Sequence, residues 1–99
     1  MYKELQAIYS TRQSFNRKAI VRTEIFENIE RVELLSYNTL VANYVYYKDE
    51  NKKVYEYFGR YSCTTSSHQK EFFRQLGLSE KETKDLMKDG TYRALRVRA

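Results

Sequence analysis

The sequence predicts an α+β fold: an antiparallel β-meander of three to four strands, followed by two short C-terminal helices packed on one face. Two observations carry this expectation. Between Lys18 and Tyr61, β-branched and aromatic residues alternate in short runs separated by polar turns, the period of a half-buried strand. After Cys63 the apolar residues move to helical spacing, and hydroxyl caps and glycines bracket two segments.

The elements follow in order. Residues 1–17 form a loop or short element: LQAIY starts a short strand or helix, Ser10, Thr11 and Ser14 are turn formers, and Phe15 is a core anchor reached from a loop. Lys18 to Phe26 alternates as a strand. The next segment has two readings. Ile25, Phe26, Ile29 and Val32 fall at helical spacing, whereas a turn at Glu27–Glu30 would lead to a second strand at Arg31–Tyr37. β-Branched and aromatic flanks favour the strand. Ser36-Tyr37-Asn38-Thr39 is a tight turn, because Asn tolerates positive φ. Leu40 to Lys48 is the clearest strand, with Val41, Asn43, Val45 and Tyr47 on one face and Leu40, Ala42, Tyr44 and Tyr46 on the other. Asp49–Lys52 is a polar hairpin loop and Lys53–Phe58 the returning strand, so the sheet occupies residues 18–62.

The two helices occupy 64–89. Thr64, Thr65, Ser66 and Ser67 are the cap candidates of the first, Phe72, Phe73, Leu76 and Leu78 its apolar stripe, and Gly77 its end. Ser79 and Glu82 have capping-box spacing for the second, which buries Leu86 and Met87 and stops at Gly90. The basic tail, residues 91–99, either closes the sheet as an edge strand or stays mobile until a partner orders it.

Composition narrows the function classes. Ninety-nine residues make one domain, with enough apolar residues for a single core. One cysteine excludes an intramolecular disulfide, and one histidine with no cysteine pair argues against structural zinc. No run approaches the roughly 20 apolar residues of a membrane span, so a soluble, cytoplasmic protein is expected, without cofactor or metal. The net charge of +5 is unevenly spread: Arg12, Arg17, Lys18 and Arg22 lie early, Arg93, Arg96 and Arg98 late, and Glu24, Glu27, Glu30 and Glu33 between them.

Three constellations bear on chemistry. His68 lies near Cys63 and four hydroxyls at a helix start, the ingredients of a nucleophilic pair, but no third orienting group follows closely except Glu71. Capping and packing explain the cluster better, so no catalytic residue is assigned. A hydrolase using His68 ranks third among the functions, and alanine there is expected to leave binding activity nearly intact. The ten tyrosines lie largely on adjacent strands, where alternation must leave one set outside. The candidate binding surface therefore comprises Arg12, Arg17, Arg22, Tyr44, Tyr46, Tyr55, Tyr57, Arg93, Arg96 and Arg98: aromatics for a protein hot spot or base stacking, arginines for phosphates. The glutamates read as a solvated face.

Three blocks carry a resemblance: Tyr9-Ser10-Thr11-Arg12-Gln13-Ser14-Phe15-Asn16-Arg17-Lys18-Ala19, then Leu35-Ser36-Tyr37-Asn38-Thr39-Leu40-Val41-Ala42, then Tyr61-Ser62-Cys63-Thr64-Thr65-Ser66-Ser67-His68 with Phe72 and Gln75. In that order they resemble a family of small proteins encoded by bacteriophages and other mobile elements of bacteria, over about residues 9 to 78. The resemblance implies a genetic context and no catalytic residues. Members of that family have glycine-containing turns between strands, which Asp49–Lys53 replaces here. Small cofactor-free proteins of mobile elements act by occupying a host machine. The expected function is therefore a non-enzymatic inhibitor of a host protein or ribonucleoprotein, an anti-CRISPR acting on a CRISPR effector or its guide RNA. The alternative is an RNA- or DNA-binding accessory protein of phage replication or expression.

Overall fold

The computed structural model describes residues 1–11 and 14–98. Among them it contains a six-stranded antiparallel sheet in sequential order and two helices. The strands are β1 (Tyr2–Glu4), β2 (Ala19–Ile25), β3 (Ile29–Ser36), β4 (Thr39–Tyr47), β5 (Lys52–Tyr57) and β6 (Arg93–Arg98). The helices α1 (Cys63–Gln75) and α2 (Glu80–Met87) lie between β5 and β6 in the chain.

The α+β class and the helices after the meander agree with expectation. The number of strands does not: six are present, where three to four are expected. Both additions are edge strands that alternation alone does not reveal. β1 is three residues long, too short to show a period, and pairs Lys3 with Val21 on β2. β6 alternates arginine with Ala94, Leu95 and Val97, and it pairs Tyr55 with Leu95 on β5. Of the two readings of the tail, the edge strand is the one observed. Residues 24–35 form a strand–turn–strand and no helix.

The turns explain how so few glycines suffice. Tyr37 and Asn38 both take positive φ, 50° and 67°, the two-residue hairpin whose twist matches its flanking strands. Asn51, at φ 50°, does the work of the glycine missing from the β4–β5 loop. Glycine is needed where chains cross. A Cβ on Gly59 (φ 96°) would stand 3.3 Å from the Gly90 carbonyl oxygen, and Arg60 N–H donates to that same oxygen at 2.9 Å.

Register sorts the sheet into two faces. Val21, Leu34, Ala42, Tyr57 and Arg93 form one cross-strand row, and Thr23, Val32, Tyr44, Tyr55 and Leu95 the next. The helices lie on this face, closing a core of Phe72, Phe73, Leu78 and Leu86 against Leu34, Ala42, Tyr44, Tyr55 and Tyr57, with Leu5 and Phe15 added from the amino-terminal arm. The β3–β4 register shifts between Leu34 and Leu35, leaving Val41 as an extra residue on β4, and this bulge brings Val41 into the core beside Ala42. Buried Gln69 holds the bulge, its Nε2 donating to the Val41 and Gly59 carbonyls at 2.9 and 3.1 Å.

Helix termini follow local chemistry. The cap of α1 is Ser62, whose Oγ accepts from Thr65 N–H at 3.1 Å; it precedes the expected cap candidates Thr64–Ser67, which lie inside the helix. Ser79 and Glu82 form the expected capping box on α2, each side chain accepting from the other's backbone N–H at 3.1 and 2.9 Å. Replacing Ser79 by Ala should lower stability by about 1 kcal/mol, measured by urea unfolding; an unchanged midpoint would show that packing alone holds α2.

Candidate interaction surfaces

The three blocks that carry the sequence resemblance converge on His68. Its ring is fully buried. Ser36 Oγ lies 2.8 Å from His68 Nδ1 and 2.9 Å from Thr65 Oγ1, joining the second block to the third through one hydroxyl–imidazole and one hydroxyl–hydroxyl hydrogen bond. Phe15, from the first block, packs edge-on at 4.8 Å between ring centroids, and Tyr37 tilts against the ring at 6.0 Å. The site is a knot that locks arm, hairpin and helix together. Cys63 is exposed, with Arg60 Nη2 at 3.5 Å from its Sγ. The Nδ1 of the imidazole thus faces the buried Ser36 hydroxyl.

Glu71 is a second tie of the same kind. Its buried carboxylate accepts from the backbone N–H of Tyr9 and of Ser10 at 2.9 and 2.8 Å and from Gln75 Nε2 at 2.7 Å. Arg74 lies 4.6 Å over the Tyr9 ring. The amino-terminal arm is thereby fastened along α1. Glu71 is spoken for by backbone donors and orients no imidazole.

The expected surface residues separate sharply. Tyr44, Tyr55 and Tyr57 are buried under the helices, at most 5% exposed, which corrects their assignment to a binding surface. Burial pushes the phenols of all three up, Tyr44 to about 12, and the Tyr55 hydroxyl donates to the Leu76 carbonyl at 2.8 Å. Tyr46 lies at the rim of this core with Lys53 Nζ 5.6 Å over its ring. Arg93 is on the helix-covered face too, bonded to the Asp85 carbonyl and the Asp89 carboxylate. Arg17 is exposed with φ 62°, and Arg12 lies outside the described residues.

Arg22, Arg96 and Arg98 remain, and register places them together on the face opposite the helices. Its rows run Tyr2, Arg22, Glu33, Asn43, Glu56, Ala94; then Glu24, Arg31, Val45, Val54, Arg96; then Ile29, Tyr47, Lys52, Arg98. Neither helix lies on this face. The acids in these three rows are engaged: Glu33 with Arg22, Glu24 with Arg31 at 3.8 Å, and Glu56 with Asn43 Nδ2 and the Tyr92 hydroxyl at 2.8 and 2.6 Å. Lys52, Arg96 and Arg98 have no carboxylate partner among the described residues. The result is a patch centred on half-buried Val54, with Val45 buried among its neighbours, ending in one tyrosine and three cations.

Tyr47, Lys52 and Arg31 were missing from the expected surface. The signal for Tyr47 was present in the alternation of β4, which sets it apart from Tyr44 and Tyr46. What alternation does not supply is which face the helices cover. That is decided by the bulge at Val41 and by Phe73, whose ring meets Tyr55 at 6.4 Å.

The chain matches, over residues 3–89, the model of the Family of unknown function (DUF8033). No curated protein and no solved structure matches it.

Proposed function

Starting from the fact that the chain belongs to that family, whose function is undefined, we propose that it is a non-enzymatic inhibitor carried by a phage or other mobile element, which binds a host nucleoprotein machine, foremost a CRISPR effector or its guide RNA. The observation that carries this reading is the open sheet face, where Tyr47 and the cations Lys52, Arg96 and Arg98 adjoin half-buried Val54. Such a face offers two kinds of contact at once. Tyrosine and valine pack against protein, while arginines at the β6 edge reach phosphate oxygens. A nucleoprotein presents both. The burial of His68 beside Ser36 and Phe15 favours binding over hydrolysis as the action of the chain. The three sequence blocks supply the mobile-element context.

The test is capture by the tagged protein from a bacterial host carrying CRISPR systems, with and without nuclease. A protein retained after nuclease treatment, and lost with the variant Lys52→Glu/Arg96→Glu/Arg98→Glu, is the expected result. RNA captured alone would instead favour the accessory nucleic-acid-binding function, for which aromatic side chains on an open sheet are also suited. Salt separates the two quantitatively. Removing two phosphate contacts should lower the salt slope by about two, whereas protein contacts leave it nearly flat.

A further inference from the structure

The helical side of the molecule, away from the open sheet face, carries a second cationic feature. A cleft of about 340 Å³ opens between α1, α2 and the crossing of Gly59–Arg60 with Gly90. Arg60, Lys70, Lys84 and Lys88 line it, with Ser66 and Tyr57. One acid, Asp89, also lines it, and its carboxylate is occupied by Arg93 at 2.5 Å. Lys84 lies 3.8 Å from Glu80 in an exposed pair of little strength. Lys70 and Lys88 have no ion pair among the described residues. Four cations around one cleft repel each other, and an anion would relieve that repulsion.

A second observation is independent of charge. Tyr57 is 1% exposed, yet it borders this cleft, and its hydroxyl makes no hydrogen bond with another described residue. It is not one of the fully buried unpaired polar atoms of the described residues, so the hydroxyl opens to the cleft, where a ligand oxygen can take the place of water as its acceptor. Its proton is retained at neutral pH, since burial raises the phenol above its usual value despite the opposing charge of Arg60. The cleft therefore offers hydroxyl donors at its wall and cations around it, the complement of a tetrahedral oxyanion.

We propose that this cleft is a phosphate-binding site, in which Arg60, Lys70, Lys84 and Lys88 neutralise the anion and the hydroxyls of Tyr57 and Ser66 donate to its oxygens. The phosphate is presented either by a small phosphomonoester or by a nucleic-acid strand. The site does not depend on the partner that the open sheet face takes, so the two readings stand or fall separately.

The test is a titration of the full chain with inorganic pyrophosphate, followed by backbone amide NMR. Saturable shifts confined to Arg60, Ser66 and Lys88–Gly90 are expected. Lys70→Gln/Lys88→Gln should weaken binding by about tenfold or more without changing the ligand-free melting temperature, because both side chains are exposed. Tyr57→Phe, which keeps the packed ring, should weaken it severalfold. Shifts spread over all lysines without saturation, or equal affinity in the double variant, would overturn the site. Oligonucleotides with and without a 5′-phosphate then separate the sources. Preference for the phosphorylated end identifies a monoester, and equal binding identifies the strand backbone. Binding of neither oligonucleotide nor pyrophosphate overturns the proposal.

Discussion

Replacing His68 by Ala is expected to lower stability by about 3 kcal/mol, a fall in melting temperature of roughly 15 °C for a chain of this size. The expectation that alanine there leaves binding activity nearly intact concerns the folded protein; the cost falls on stability, because the ring is fully buried. Three losses combine. The cavity left by the ring is bounded by Phe15 and Tyr37, which come from separate segments and cannot collapse together without moving the arm and the hairpin. Ser36, itself buried, loses one of its two hydrogen-bond partners. The amino-terminal arm loses one of its anchors on α1, leaving the Glu71 tie to Tyr9 and Ser10. Ser36→Ala should cost less, and the double variant less than the sum, with a coupling of about 1 kcal/mol if the hydroxyl–imidazole bond is the joint. Thermal unfolding of the four proteins measures all of this. A His68→Ala variant that melts within about 2 °C of the parent would show that the knot is dispensable.

That variant also bears on function. If it remains folded at low temperature and still captures its partner, the surface reading gains support. Loss of capture with an intact fold would return attention to the imidazole.

How much of this was legible in the sequence depends on whether a feature is local. The capping box at Ser79 and Glu82, the turn at Tyr37–Asn38 and the strand at Leu40–Tyr47 rest on neighbouring residues, and all three are present. The switch from sheet to helix near Cys63 is local too. β1 was not legible as sheet, and β6 only as one of two readings of the tail, because an edge strand of three to six residues is held by pairing rather than by its own pattern. Nor was the identity of the buried face. Alternation divides the tyrosines of β4 correctly into Tyr44 and Tyr46 against Tyr47, but both sets are equally apolar. The choice is made by long-range contacts from α1, such as Tyr55 with Phe73 and with the Leu76 carbonyl. The depth of His68 was not legible for the same reason: its partners Tyr37, Ser36 and Phe15 are 31 to 53 residues away in sequence, and no spacing rule joins them.

The second large effect is alkaline unfolding. Stability is expected to fall steeply as pH rises from about 10 to about 12, by about 2–3 kcal/mol from Tyr44 alone. The sign follows from where the proton is held. A phenol has a value near 10 in the unfolded chain; burial, then the neighbouring phenol of Tyr55, raises that of folded Tyr44 to about 12. Between these values the unfolded chain has lost its proton while the native protein keeps it. The stabilisation is thus fully present below pH 10 and is lost as pH climbs through the folded value. Tyr55 and Tyr57 add in the same direction, because burial raises both. Urea unfolding across this range, with tyrosinate absorbance recorded alongside, gives the dependence. Tyr44→Phe keeps the ring against Tyr55, whose centroid is 5.1 Å away, and removes the titrating group; it should flatten the curve by roughly one proton, about 1.4 kcal/mol per pH unit. The same experiment distinguishes the two sets of tyrosines. Were Tyr44 and Tyr55 on the open face, where stacking on a partner would require solvent access, they would lose their protons with the unfolded chain and leave stability level. A level curve to pH 12 would therefore reverse the assignment of faces, and with it the surface on which binding is proposed.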